Sequence, residues 1–197
     1  MMETLVLDLN KRYTYADYLT WADDKMRELI DGFIHLMSPA PKTQHQRVCS
    51  TLLRELWNPI MKNNCKCEVF PAPFDVRLPR NGELENHKIY NVVQPDICIV
   101  CDPSKIDENG CIGAPDLIVE VLSKTTRKKD LYEKFSLYEM SGVKEYWIVN
   151  TKVKSITAHV LQSDGSYDEG TEYIKDEKNP IYIFDGYEID FNEIFAF

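Results

Sequence analysis

The 197-residue chain contains no stretch of about 18 apolar residues, the length a membrane-spanning helix requires, so no span is expected. It also has no excess of positive charge. Lys and Arg number 23 against 32 Asp and Glu, a formal net charge of −9. Such a body does not attract nucleic acid or an anionic membrane non-specifically, although it is compatible with a local basic site. Glycine-rich phosphate loops, G-x-S-x-G and H-E-x-x-H are all absent, as are internal repeats and low-complexity linkers. The opening MMETLVLDLNKRYTY lacks the basic start and long apolar centre of a secretory signal. A cytoplasmic protein is the expectation.

What is present is the composition of a soluble globular protein. Hydrophobic residues make up 44% and charged residues 28%, enough to bury a core in a chain long enough for a single domain. In the cytoplasm the six cysteines, Cys49, Cys65, Cys67, Cys98, Cys101 and Cys111, are expected to be reduced thiols. The alternative is a zinc site made from the Cys65/Cys67 and Cys98/Cys101 pairs. Against it, Cys98 lies in the apolar run QPDICIV, where cysteine serves as a small hydrophobe.

Periodicity places the elements. TYADYLTWA reads as a helix over 14–22 with Thr14 as its N-cap, and RELIDGFIHLM as a hairpin about Asp31-Gly32. Val48, Leu52, Leu56 and Ile60 recur every four residues and predict a long helix over 42–63. CEVFPAP, FDVRLP, QPDICIV, DLIVEVLS and KEYWIVN read as strands, with a helix over 127–141 between the last two. Leu131, Phe135 and Tyr138 form the apolar stripe of that helix, and Ser141-Gly142 ends it. From 153 onward SITAHVLQ, EGTEYI and PIYIFDGYEIDF read as antiparallel hairpins. The fold class is α/β: a mixed central sheet flanked by helices, with hairpins at both ends. Tyr173, Tyr182, Phe184 and Tyr187 offer an apolar edge for a homodimer, or simply core packing.

The stretch DLIVEVLSKTTRKKD raises a question. Glu120 stands inside a strand apolar on both faces, and a buried, uncompensated carboxylate is costly. Asp96 shares a face with Cys98 and Val100, and Glu120 with Ile118 and Leu122. If the two strands pair, the carboxylates stand side by side, an arrangement that suits magnesium or manganese. The bland reading is that Asp96 only terminates its strand. Asp116 shares the face of Glu120 but lies roughly 13 Å along the strand, too far for one ion. Beyond the strand, Lys124, Arg127, Lys128 and Lys129 form a basic start to the next helix, fit for a phosphate or simply solvated. Lys134 borders the buried stripe, from where its amine can reach Glu120; it also stands i, i+4 from Asp130. Glu28 and His45 read as a strand-end carboxylate and a substrate contact, or as ordinary surface groups.

Taken together, RELIDG, Ser-Pro followed by His45, QPDICIV and APDLIVEVLSKTTRKKDLYEKFSLYEMSGVKEYWIVN resemble the Uma-two family over about residues 12–195. The resemblance implies a restriction-endonuclease-like fold with its core over about 42–150, and the PD-(D/E)xK motif of metal-dependent nucleases. It implies that Asp96 and Glu120 are catalytic metal-binding acids and that Glu28 completes the metal shell. The motif lysine would fall at Leu122, a departure, and Lys134 on the following helix takes its place, with Lys124 as the competitor for the role. His45, Lys124, Arg127 and Lys128 then face the substrate. The implied activity is magnesium- or manganese-dependent hydrolysis of phosphodiester bonds, in DNA. The alternative is a catalytically inactive nucleic-acid- or protein-binding module that keeps the fold.

Overall fold

A computed structural model describes residues 6–23, 25–37, 42–123 and 129–196. Thr14 caps the short helix α1 (Tyr15–Tyr18) in a reciprocal capping box with Asp17. Strands β1 (Arg27–Ile30) and β2 (Phe33–Leu36) form the expected hairpin. Its turn holds Asp31 at φ 53° and Gly32 at φ 82°. A Cβ at Gly32 would lie 3.0 Å from both the Tyr13 carbonyl and the Tyr90 ring, so only glycine fits this turn without strain. Helix α2 (Thr43–Asn63) follows, within one residue of the expected 42–63, and then β3 (Glu68–Pro71), β4 (Val76–Arg77), β5 (Val92–Val93) and β6 (Ile97–Val100). Next come β7 (Ile106–Asp107), β8 (Gly110–Ile112) and the central strand β9 (Leu117–Val121).

Among the described residues of the helix expected over 127–141, only its end is a regular α-helix. A π-helical turn, Lys129–Lys134, leads into α3 (Phe135–Ser141), which stops at Gly142 in the left-handed region. Strands β10 (Glu145–Asn150), β11 (Ser155–Val160), β12 (Thr171–Tyr173), β13 (Lys178–Pro180) and β14 (Glu188–Asp190) complete the sheets. The chain then enters α4 (Phe191–Ile194), a helical turn where the sequence reads as hairpin. No helix among the described residues is long and apolar enough to cross a membrane.

Two six-stranded sheets dominate. The main one runs β12-β11-β10-β9-β6-β3, with β9 parallel to β10 and antiparallel to β6. The second runs β2-β1-β5-β4-β8-β7. The strand β9 is apolar on both faces because both are covered. Leu117, Val119 and Val121 join Trp147 and Val149 against Val48, Leu52, Leu56 and Ile60 of α2. Ile118 joins Cys98, Tyr146 and Ile148 against Leu137 and Tyr138 of α3, Val76 and Cys111 of the second sheet, and Leu78 just after β4. Core packing also claims Phe184, with Tyr173 and Tyr187 packed against that core; Tyr182 stays half-exposed.

The expectation of six reduced thiols is corrected. Glu68 pairs with Val100 across β3 and β6, so the next positions, Cys67 and Cys101, face each other and are joined as a disulfide. Cys98 sits in the core as a small hydrophobe, and so the four-cysteine zinc site has no geometric basis.

One buried acid lies away from these features. Glu145, fully buried at the start of β10, accepts hydrogen bonds from Trp147 Nε1 at 2.7 Å and the Ile183 amide at 3.1 Å. Burial pushes its carboxyl up to about 7, while these donors pull it back. With the folded value raised above 4.5, its contribution to stability is complete below that value and is lost as pH rises towards 7. Urea midpoints of wild type and Glu145→Gln should therefore diverge in slope across this window and run parallel above it. Equal slopes throughout would refute the assignment.

Candidate active site

Glu120 finds its compensation inside the protein. Lys134 Nζ lies 2.6 Å from Glu120 Oε1, and the Tyr138 hydroxyl donates to the same oxygen at 2.8 Å. The same ammonium lies 2.7 Å from Glu28 Oε1, which also accepts the Gln94 amide at 3.0 Å. Glu28, Glu120 and Lys134 are 0%, 5% and 3% exposed. Glu120 comes from the main sheet, Glu28 from the second and Lys134 from the π-helical turn. The ammonium thus ties both sheets to the helix. Burial and the nearby Glu120 carboxylate push the Tyr138 pKa well above its ordinary value, so its hydroxyl remains a donor. Two carboxylates share one ammonium.

Asp96 occupies the position opposite Glu120, one step beyond the Ile97–Val119 pair. It lies just before β6, so its Oδ2 replaces a ladder acceptor and takes the Val121 amide at 2.7 Å. The same oxygen lies 3.2 Å from His45 Nε2 on α2. Asp96 Oδ1 has no hydrogen-bond partner among the described residues, and the side chain is 23% exposed. His45 Nδ1 in turn meets Cys49 Sγ at 3.4 Å.

The structure therefore brings five of the predicted residues, Asp96, Glu120, Glu28, Lys134 and His45, to one end of β9. It differs in how they are paired. Glu28, implied as a metal ligand, gives its Oε1 to Lys134 and the Gln94 amide. Lys134 meets Glu28 and Glu120 together. Among the described residues, His45, Cys49 and Asp96 group with ligand atoms within 4.8 Å of one another. Lys124, Arg127 and Lys128 lie outside the described residues. Asp116 accepts the Cys101 amide and Lys144, and so serves the opposite end of the strand. The sequence reading missed Tyr138 and Cys49. Each has a local signal, since Tyr138 stands i, i+4 from Lys134 and Cys49 i, i+4 from His45.

The fold has solved counterparts. It aligns with the crystal structure of "a putative nuclease belonging to DUF820" from Anabaena variabilis at a TM-score of 0.72, with 18% identity, over 93% of this chain and 98% of that one. At that identity the likeness concerns the fold alone, a mixed α/β architecture. An uncharacterized protein from Synechocystis is 26% identical over 154 residues, 77% of this chain and 75% of its own length. Residues 15–183 match the Uma2 family, described as "Putative restriction endonuclease". The chain belongs to that family.

Proposed function

We propose that the protein is a single-domain, divalent-metal-dependent endonuclease that hydrolyses phosphodiester bonds in DNA. The observation that carries this reading is the meeting of Lys134 with Glu120, opposite the position of Asp96. The residues fit a hard cation. Glu28 and Glu120 share one ammonium, Asp96 stands opposite Glu120, and Asp96 Oδ1 has no hydrogen-bond partner among the described residues. Magnesium or manganese would be held by Asp96 and Glu120; when bound it lowers the pKa of a water and offsets charge on phosphorus.

The remaining work falls to the chain's own side chains. Lys134, fixed by Glu28 and Glu120, orients the attacking water and stabilises the developing anion. Glu28 acts by positioning Lys134, and Tyr138 holds Glu120 in place. His45 steadies Asp96 and faces the substrate. Lys124, Arg127 and Lys128, which follow β9 in sequence, supply phosphate contacts that an otherwise acidic surface lacks. Leu122 at the in-motif lysine position favours a binding module, but Lys134 supplies the missing amine from elsewhere.

Calorimetric titration of wild type with manganese at neutral pH, alone and with duplex DNA present, tests the reading without guessing a recognition sequence. Binding that accompanies chelator-sensitive DNA cleavage is the expected result. No binding in either titration would refute the metal-dependent mechanism, and binding without cleavage of duplex or single-stranded DNA would leave the non-catalytic module.

A further inference from the structure

Helix α2 carries a second kind of donor towards Asp96. The spacing i, i+4 puts His45 and Cys49 on one face of the helix, and the imidazole lies between the thiol and the carboxylate. Two chemistries use such a trio. One is a nucleophilic thiol activated by an imidazole and a carboxylate. The other is ligation of one cation by all three donors, which the Asp96 carboxylate beside the imidazole favours.

We propose that His45, Cys49 and Asp96 form a binding site for a zinc-class ion, and that this ion competes with magnesium for Asp96. The donor set carries the selectivity. Imidazole and thiolate select zinc or cobalt, whereas magnesium takes oxygen ligands. Three protein donors with ligand atoms within 4.8 Å of one another match a tetrahedral ion with one open position. Bringing the three atoms to one ion requires a small rotation of the imidazole, which now directs its two nitrogens to different partners. The Cys49 proton passes to solvent as the ion binds.

The site shares Asp96 with the nuclease centre, so the competition rests on the proposed function, whereas the binding itself does not. A filled site would withdraw Asp96 and lower magnesium-dependent activity. The protein would then respond to the balance of the two metals.

Cobalt(II) titration of the full chain tests the site, because thiolate ligation gives a near-ultraviolet charge-transfer band and tetrahedral geometry gives strong visible bands. Wild type is expected to show both at one equivalent, and zinc should displace them. Cys49→Ser should lose the charge-transfer band and weaken cobalt binding at least about tenfold. Manganese binding by the same variant should stay at the wild-type level, which shows that the variant is folded. Zinc should raise the apparent manganese dissociation constant of wild type and not of Cys49→Ser. A cobalt spectrum unchanged in Cys49→Ser, or no band in wild type, would overturn the proposed site. Zinc and manganese binding without mutual effect would overturn the competition. If wild type binds cobalt with the band but binds no manganese, the nuclease reading fails and the zinc-class site stands.

Discussion

Replacing Lys134 by methionine is expected to destabilise the protein by about 3–5 kcal/mol at neutral pH, the cost of removing one partner from a buried ion pair. Methionine keeps the unbranched stem and removes only the ammonium. Glu28 and Glu120, both buried, would then face each other without the cation that now lies 2.7 and 2.6 Å from them. One of them is expected to take up a proton on folding, so that its folded-state pKa in the variant rises above the unfolded glutamate value of about 4.3. Sign follows from linkage: a raised carboxyl is fully compatible with folding below the unfolded value and opposes it increasingly as pH rises. The variant should lie nearest to wild type in acid and fall away towards neutrality. Adding Glu28→Gln to Lys134→Met removes one of the two charges and should recover a large part of the loss. Urea denaturation as a function of pH measures all three proteins. A deficit independent of pH would mean that Lys134 acts through packing alone.

Much of this arrangement was legible in the sequence where the signal is local. The four-residue recurrence of Val48, Leu52, Leu56 and Ile60 fixes α2 and its buried face, and a glutamate inside an apolar run marks β9 as unusual. Lys134 at the border of the Leu131–Phe135–Tyr138 stripe pointed to a reach over the sheet, as the structure has it. Three things were not legible. The π-helical turn is only six residues long, too short to express its i→i+5 period, and the apolar spacing about it also fits an α-helix. Strands β4 and β5 are two residues each, so the second sheet exists through its pairings and packing and not through patterning. The split of the acids between Lys134 and His45 depends on Asp96 preceding β6 and taking the Val121 amide, a tertiary detail. The pairing of Cys67 with Cys101 likewise follows from register, which spacing alone does not reveal.

The substitution Asp96→Asn is expected to separate function from stability. Unlike Lys134, Asp96 is partly exposed, and its contact with the Val121 amide needs only an acceptor, which the asparagine carbonyl supplies. Removing the negative charge should therefore shift the urea midpoint little, while weakening manganese binding and DNA cleavage by on the order of a hundredfold or more, as loss of a charged metal ligand does. Cobalt binding should fall as well, because Asp96 belongs to both donor sets, whereas Cys49→Ser should affect cobalt alone. The contrast with Glu120→Gln is informative. Glu120 Oε1 accepts both Lys134 and Tyr138, so its neutralisation removes a ligand and also frees a buried ammonium to settle on Glu28. That variant should lose activity, keep the cobalt spectrum and differ from wild type in its pH dependence of unfolding. Asp96→Asn retaining full cleavage would remove Asp96 from the reaction, and the basis for reading this end of β9 as a metal-dependent nuclease centre would go with it.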